Sequence, residues 1–196
     1  MRTFTKTLPL GVSAVIALSG ITAAGAATTT SPSAPHAVVA HALRANVVKV
    51  RKVSFKGTYK GTIAMLWSAS SVKATSVHGT GTGTLLGRSV MNGTGTSATS
   101  STCDPLSGTG YLVGSGSKLL IRVVSSSKTQ ACAASDAAPT TVTVTGVATV
   151  VRGVGKYTGF TGTLKFRGSF QIKSNKAGSR ESDAFTASLS GVLIKR

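Results

Sequence analysis

Acidic side chains are nearly missing from this chain: four aspartates and glutamates stand against 22 lysines and arginines in 196 residues. Asp104 and Asp136 sit next to the cysteine-tethered loops, and Glu181 and Asp183 lie in or next to a polar turn. None takes a clearly inward strand position, so no catalytic residue is assigned. Histidine is as sparse, with His36, His41 and His78 alone. No cysteine, carboxylate or second histidine joins them at ligand spacing, so no metal site is expected. A serine hydrolase would have to work with His78 and has no nucleophile-elbow motif. Aromatic residues make up 5% of the chain and fall mostly in core phase. That is thin for stacking on bases, and sequence-specific nucleic-acid recognition is not expected. Gly153-Val154-Gly155-Lys156 lacks the GxxxxGK[ST] spacing of a phosphate loop and precedes a strand, so it reads as a tight turn, and no cofactor is expected.

The N-terminus does carry a signal. Arg2 and Lys6 precede an apolar run from Leu8 to Ile21, and Ala24-Gly25-Ala26 supplies small residues in the A-x-A pattern. Residues 1–26 read as a secretory signal peptide, too short in its apolar part to span a bilayer. Residues 27–46, with TTTSPSAP, read as a flexible linker. No second long apolar run follows, so no transmembrane segment is expected in the mature chain, and a secreted, extracytoplasmic protein is. Without Arg2 and Lys6, 20 basic residues face 4 acidic ones, a net charge of +16. Such a charge attracts polyanions such as teichoic acids, acidic polysaccharides, anionic lipid surfaces or released nucleic acid, and the partner expected here is an anionic cell-wall polymer or acidic polysaccharide. Cys103 and Cys132 are the only cysteines. In an exported chain the pair is expected to form a disulfide.

The remainder, 47–196, is rich in period-two alternation. In Val147–Ile172, Leu164, Phe166, Gly168, Phe170 and Ile172 alternate with Thr163, Lys165, Arg167, Ser169 and Gln171, the pattern of a strand with one buried and one wet face. Further strands are expected at Val47–Phe55 (mixed phase), Tyr59–Ser68, Val77–Leu86, Thr94–Ser100, Ser107–Val113, Lys118–Ser125, Thr141–Arg152 and Asp183–Ile194. Asn92-Gly93 reads as a hairpin turn, Gly114-Ser115-Gly116 as another, and Ser126–Pro139 as a loop. Eight or nine strands at this spacing, with glycine-thinned faces such as Gly79, Gly81 and Gly83, indicate an all-β fold: one antiparallel, eight-stranded up-and-down barrel.

At Val150–Gly162 the string VVRGVGKYTGFTG resembles the glycine motif of the allene-oxide-cyclase and dirigent-type barrels. The matching positions are Val150, Val151, Gly153, Gly155, Lys156, Tyr157 and Gly162, with Gly159 inside the turn. In leader and composition the chain resembles exported, uncharacterised actinobacterial proteins. The resemblance implies an apolar lumen that binds a small hydrophobic molecule, and in some members steers a cyclisation without a cofactor.

The sequence therefore leads to an exported, non-enzymatic barrel that binds anionic envelope polymer or a small apolar ligand. The alternatives are a cofactor-free cyclase-type barrel and a structural module of the cell surface. The candidate anion-binding surface is Lys49, Arg51, Lys52, Lys165, Arg167 and Lys173.

Overall fold

A computed structural model describes residues 50–126 and 128–195. The proposed leader, the linker and Lys49 lie outside the described residues. The described chain is nine strands and one 3₁₀ turn: β1 Arg51–Trp67, β2 Ser71–Gly83, β3 Gly87–Ala98, β4 Cys103–Gly114, β5 Ser117–Val123, β6 Gln130–Ala133, β7 Thr140–Val154, the turn Gly155–Tyr157, β8 Phe160–Ile172 and β9 Arg180–Lys195. All neighbours are antiparallel, and β1 pairs with both β2 and β9. The sheet therefore closes into a barrel, which removes both free edges.

The barrel has eight wall positions because β5 and β6 share one. Val123 pairs with Gly108 and Ala148, and Gln130 with Pro105 and Thr145. Six residues between Val123 and Gln130 thus stand against two on each neighbouring strand, and Ser126 pairs back on Thr129 before the wall resumes. Thr129 returns to the interior beside Gly146, where a Cβ on the glycine would meet its side chain at 2.7 Å. This excursion broke the alternation, so the expected loop Ser126–Pro139 contains a short strand. Two further expectations are corrected. Val47–Phe55 and Tyr59–Ser68 are not two strands, because β1 runs unbroken with Val53, Phe55, Gly57, Tyr59 and Ile63 in one inward phase. Asn92-Gly93 is not a turn but mid-β3, paired with Tyr111 and Gly110.

The hairpin between β4 and β5 is as expected. Ser115 and Gly116 both have positive φ, at 51° and 68°, as a two-residue turn matching strand twist requires. Cys103 and Cys132 are directly paired across β4 and β6, their sulfurs at bonding distance. The crosslink holds the short β6 in the wall. Replacing both cysteines by serine is expected to cost about 3 kcal/mol in chain entropy and to lower the melting midpoint by roughly 10 °C. Thermal melts of the variant, and of the native chain with and without reductant, check this.

The two ends of the barrel differ. One carries the turns β2–β3, β4–β5 and β7–β8 and the paired ends of β1 and β9. There the interior is filled: Phe55, Tyr59, Leu86, Leu112, Leu119, Leu164, Leu193 and Val150 are essentially inaccessible. Truncating such a residue, Leu164 for instance, to alanine costs about 2–5 kcal/mol. The other end carries the four remaining loops, and its inward residues Val72, Ala74, Leu106, Val144, Phe166 and Phe170 are only partly buried.

Candidate functional site: an apolar lumen with a polar mouth

Inward side chains decide whether an eight-stranded barrel is solid or hollow, because its interior is just wide enough for them to fill. At the closed end they are large. Around the middle they become small: Ala74, Gly93, Gly95, Gly108, Gly110, Ala131, Ala148, Gly168 and Ala187 all face inward. The glycines oppose one another in pairs across the β3–β4 seam, Gly93 with Gly110 and Gly95 with Gly108. A Cβ on Gly108 would stand 2.5 Å from the Thr94 carbonyl oxygen, so the wall turns tightly there and offers no side chain to fill the space.

The result is a partly open cavity of about 220 Å³. Ile63, Met91, Ile121, Ala148, Phe166, Phe185 and Leu189 line it with the glycine seam. No charged residue and no histidine is among the lining residues. It exceeds the ~150 Å³ apolar cavity that stays dry and takes up benzene. Next to it, at the open end, a second cavity of about 390 Å³ shares Met65, Val72, Ser97, Ala131 and Phe170 with the first and is rimmed by Trp67, Asp104, Asp136 and Asn175.

The glycine motif closes the far end. Gly153 is the penultimate residue of β7, Gly155 (φ 69°) begins the 3₁₀ turn, Gly159 (φ 81°) precedes β8, and Gly162 lies within it. A side chain at Gly155 or Gly159 would strain the left-handed backbone. The turn lays Tyr157 over the barrel end, where its hydroxyl donates to the Leu85 carbonyl of the β2–β3 turn. Its ring meets Phe160 edge to face at 5.9 Å. Burial pushes the Tyr157 phenol pKa up. Burial does the same to Tyr59, against the opposing pull of its 3.0 Å hydrogen bond with Ser89.

The carboxylates are a correction. Asp104 begins the inward phase of β4, and Glu181 and Asp183 continue the inward phase of Phe185 and Leu189 on β9. The alternation could have shown this, but the polar neighbours obscured it. All three serve the mouth. Glu181 accepts from Trp67 Nε1 at 2.6 Å and from the Lys173 N–H at 2.7 Å. Asp183 Oδ1 pairs with Lys173 Nζ at 3.0 Å, while Oδ2 is buried without a partner.

Asp104 accepts from the Ser100 and Ser101 N–H groups at 2.9 and 3.0 Å and from the Ser100 hydroxyl at 2.5 Å. Burial alone would raise its pKa, but these donors, Ser100 foremost, outweigh it and hold the carboxyl below the usual range. The folded pKa lies below the unfolded one, so Asp104 contributes stability above about pH 4 that is lost as pH falls through the folded value. Asp104→Asn is expected to lower stability by about 1–2 kcal/mol near neutrality, with the gap to wild type closing on acidification. Denaturant midpoints across the acid range measure it.

The sequence-derived cations separate. Lys165 and Arg167 point outward on β8, as expected. Arg51 and Lys52 lie at the closed end of β1, while Lys173 is at the mouth and engaged with Asp183. What gathers beside Lys165 and Arg167 is Lys56 and Lys60 of β1. Lys56, Ser190 and Lys165 form one row across β1, β9 and β8, Thr58, Ser188 and Arg167 the next, and Lys60, Thr186 and Ser169 the third. His78 stands outside, Nδ1 2.8 Å from Asn92 Oδ1. Among the described residues no cluster of three metal-ligating side chains occurs, and no helix is long and apolar enough to cross a membrane.

Fold and cavity together define a small closed antiparallel barrel with an apolar lumen, plugged at one end and rimmed with polar groups at the other. No family model, curated protein or solved structure matches the chain.

Proposed function

We propose that this is an exported protein that holds a small apolar molecule in its lumen. The carrying observation is the uncharged, roughly 220 Å³ cavity beside the glycine seam, which shares lining residues with the mouth cavity. The cysteine pair is compatible with an oxidising, extracytoplasmic compartment. Trp67, the single tryptophan, lines the mouth and reports on occupancy. Titration with an apolar fluorescent dye is expected to give saturable binding of one dye per chain, a change in Trp67 emission, and displacement by small hydrocarbons or terpenoid-like molecules. Dye that binds without saturation, or is not displaced, contradicts the reading.

A second reading is favoured by the outer rows. Lys56 and Lys60 on one side, and Lys165 and Arg167 on the other, flank the hydroxyls of β9 with no carboxylate among them. That spacing suits an anionic envelope polymer. Retention on cell-wall material is expected to fall as salt rises, because exposed charges are screened beyond about 8 Å at physiological ionic strength. Replacing the four cations by glutamine should weaken it. Retention indifferent to both salt and substitution contradicts it.

A further inference from the structure

We propose that the closed end of the barrel, on its β3–β4–β5–β7 side, docks on an anionic lipid surface. The first observation is a segregation of charge. The hairpins at that end each bring cations: Arg88 after the β2–β3 turn, Lys118 after the β4–β5 turn, and Arg152 and Lys156 around the β7–β8 turn. All four aspartate and glutamate side chains lie at the opposite end, in the mouth or its loops. The closed end therefore presents uncompensated positive charge, and the barrel is electrically polar along its axis.

The second observation is a change in what faces outward. Over β1, β2, β8 and β9 the outward positions are mostly threonine, serine and lysine, apart from Val192 and Ile194 near the end of β9. On β3, β4, β5 and β7 near the closed end they turn apolar. Val90, Val113, Lys118 and Val154 form one row, and Asn92, Tyr111, Leu120 and Arg152 the next. The bulge at Val151 leaves that residue unpaired, so valine and Arg152 both stand outside. Val151, Val154 and Tyr111 are 46%, 41% and 37% exposed. Tyr111, Leu120, Val151 and Arg122 line a shallow depression, and Lys118 Nζ lies 4.4 Å over the Tyr111 ring.

Cations interleaved with exposed aliphatics and a tyrosine suit the lipid headgroup region. There the amphipathic ring and lysine stem are at home and the charges meet anionic lipid. A hydrated polyanion would use the cations but gain nothing from Leu120, Val151 and Val154, which is why lipid is the occupant the face favours. Docked this way, the mouth points into water. The inference stands apart from the lumen reading and does not require it.

The test is sedimentation of the full chain with vesicles of phosphatidylcholine, with or without phosphatidylglycerol. Binding is expected only with the anionic lipid and should weaken with salt. A near-surface cation contributes about fivefold in partitioning, so Arg88→Gln, Lys118→Gln and Arg152→Gln together should cut binding by about a hundredfold. Tyr111→Ser with Leu120→Ser keeps every charge and should cut it at least fivefold. All variants share the same N-terminal segment, so differences between them report on this face. Brominated lipid should quench a tryptophan placed by Tyr111→Trp but not Trp67 at the mouth, a readout that survives should the serine variant fold poorly. The proposal is overturned by any of three results: no preference for anionic vesicles, quenching of Trp67 but not of the residue 111 probe, or charge-dependent binding that ignores Tyr111 and Leu120 and is matched by a soluble polyanion.

Discussion

Replacing Ala187 by phenylalanine is expected to abolish uptake of an apolar probe while leaving the barrel folded. Ala187 faces inward on β9, paired with Tyr59 of β1 and Gly168 of β8, and lines the lumen cavity. The new ring occupies the space a ligand would take. Filling an existing cavity avoids most of the 1–3 kcal/mol that overpacking typically costs in a dense core, so the melting midpoint should move little. Loss of at least tenfold in dye affinity, about 1.4 kcal/mol, is the expected reading. Ser188→Phe, one residue along and outward, should leave affinity unchanged. Equal affinity in Ala187→Phe and wild type would place the dye elsewhere.

Replacing Gly61 by valine is expected to unfold the barrel. Valine normally suits a strand better than glycine, so propensity alone predicts a gain. Packing predicts the reverse. Gly61 opposes Gly79 across the β1–β2 seam, and a Cβ there would fall on the His78 carbonyl oxygen and 2.5 Å from the Gly79 Cα. Backbone cannot swing aside as a flexible side chain can, and the seam would have to part. The expected loss exceeds about 4 kcal/mol, among the larger effects single substitutions have. Thr62→Val, outward and next in sequence, should change stability by no more than about 0.5 kcal/mol. Near-UV circular dichroism and urea midpoints of the two variants decide it, and a native midpoint in Gly61→Val would show that the seam is not tight.

Much of this architecture was legible because period-two alternation depends on one strand at a time. Leu164 to Ile172 on β8 and Val142 to Val150 on β7 could be assigned to the interior from their spacing. So could the turn at Ser115-Gly116, since few residues accept positive φ. What failed depended on context. Asn92-Gly93 has the chemistry of a hairpin turn, but inward Gly93 is needed opposite Gly110 where two strands approach closely. The excursion from Val124 to Thr129 hid β6, because a looped-out segment resets the pattern. Asp183 and Glu181 were assigned by their polar neighbours when their parity with Phe185 placed them inside.

The cavity itself could not be seen in any one stretch. It arises because small inward residues on seven strands fall at one height of the barrel, and that coincidence is set by register. Register also decided which cations act together. Lys56 and Lys165, far apart in sequence, share a row through Ser190, while Lys173 is diverted to Asp183.

The central claim is that the lumen is the binding site, and a methyl-resolved NMR titration of the full chain with a small apolar aromatic probe tests it most directly. The account predicts saturable shifts at one probe per chain, concentrated in Ile63, Met91, Ile121, Ala148 and Ala187, which line the cavity. Shifts confined to surface methyls such as Val147, Val154 and Val192, or none within the solubility of the probe, would contradict it.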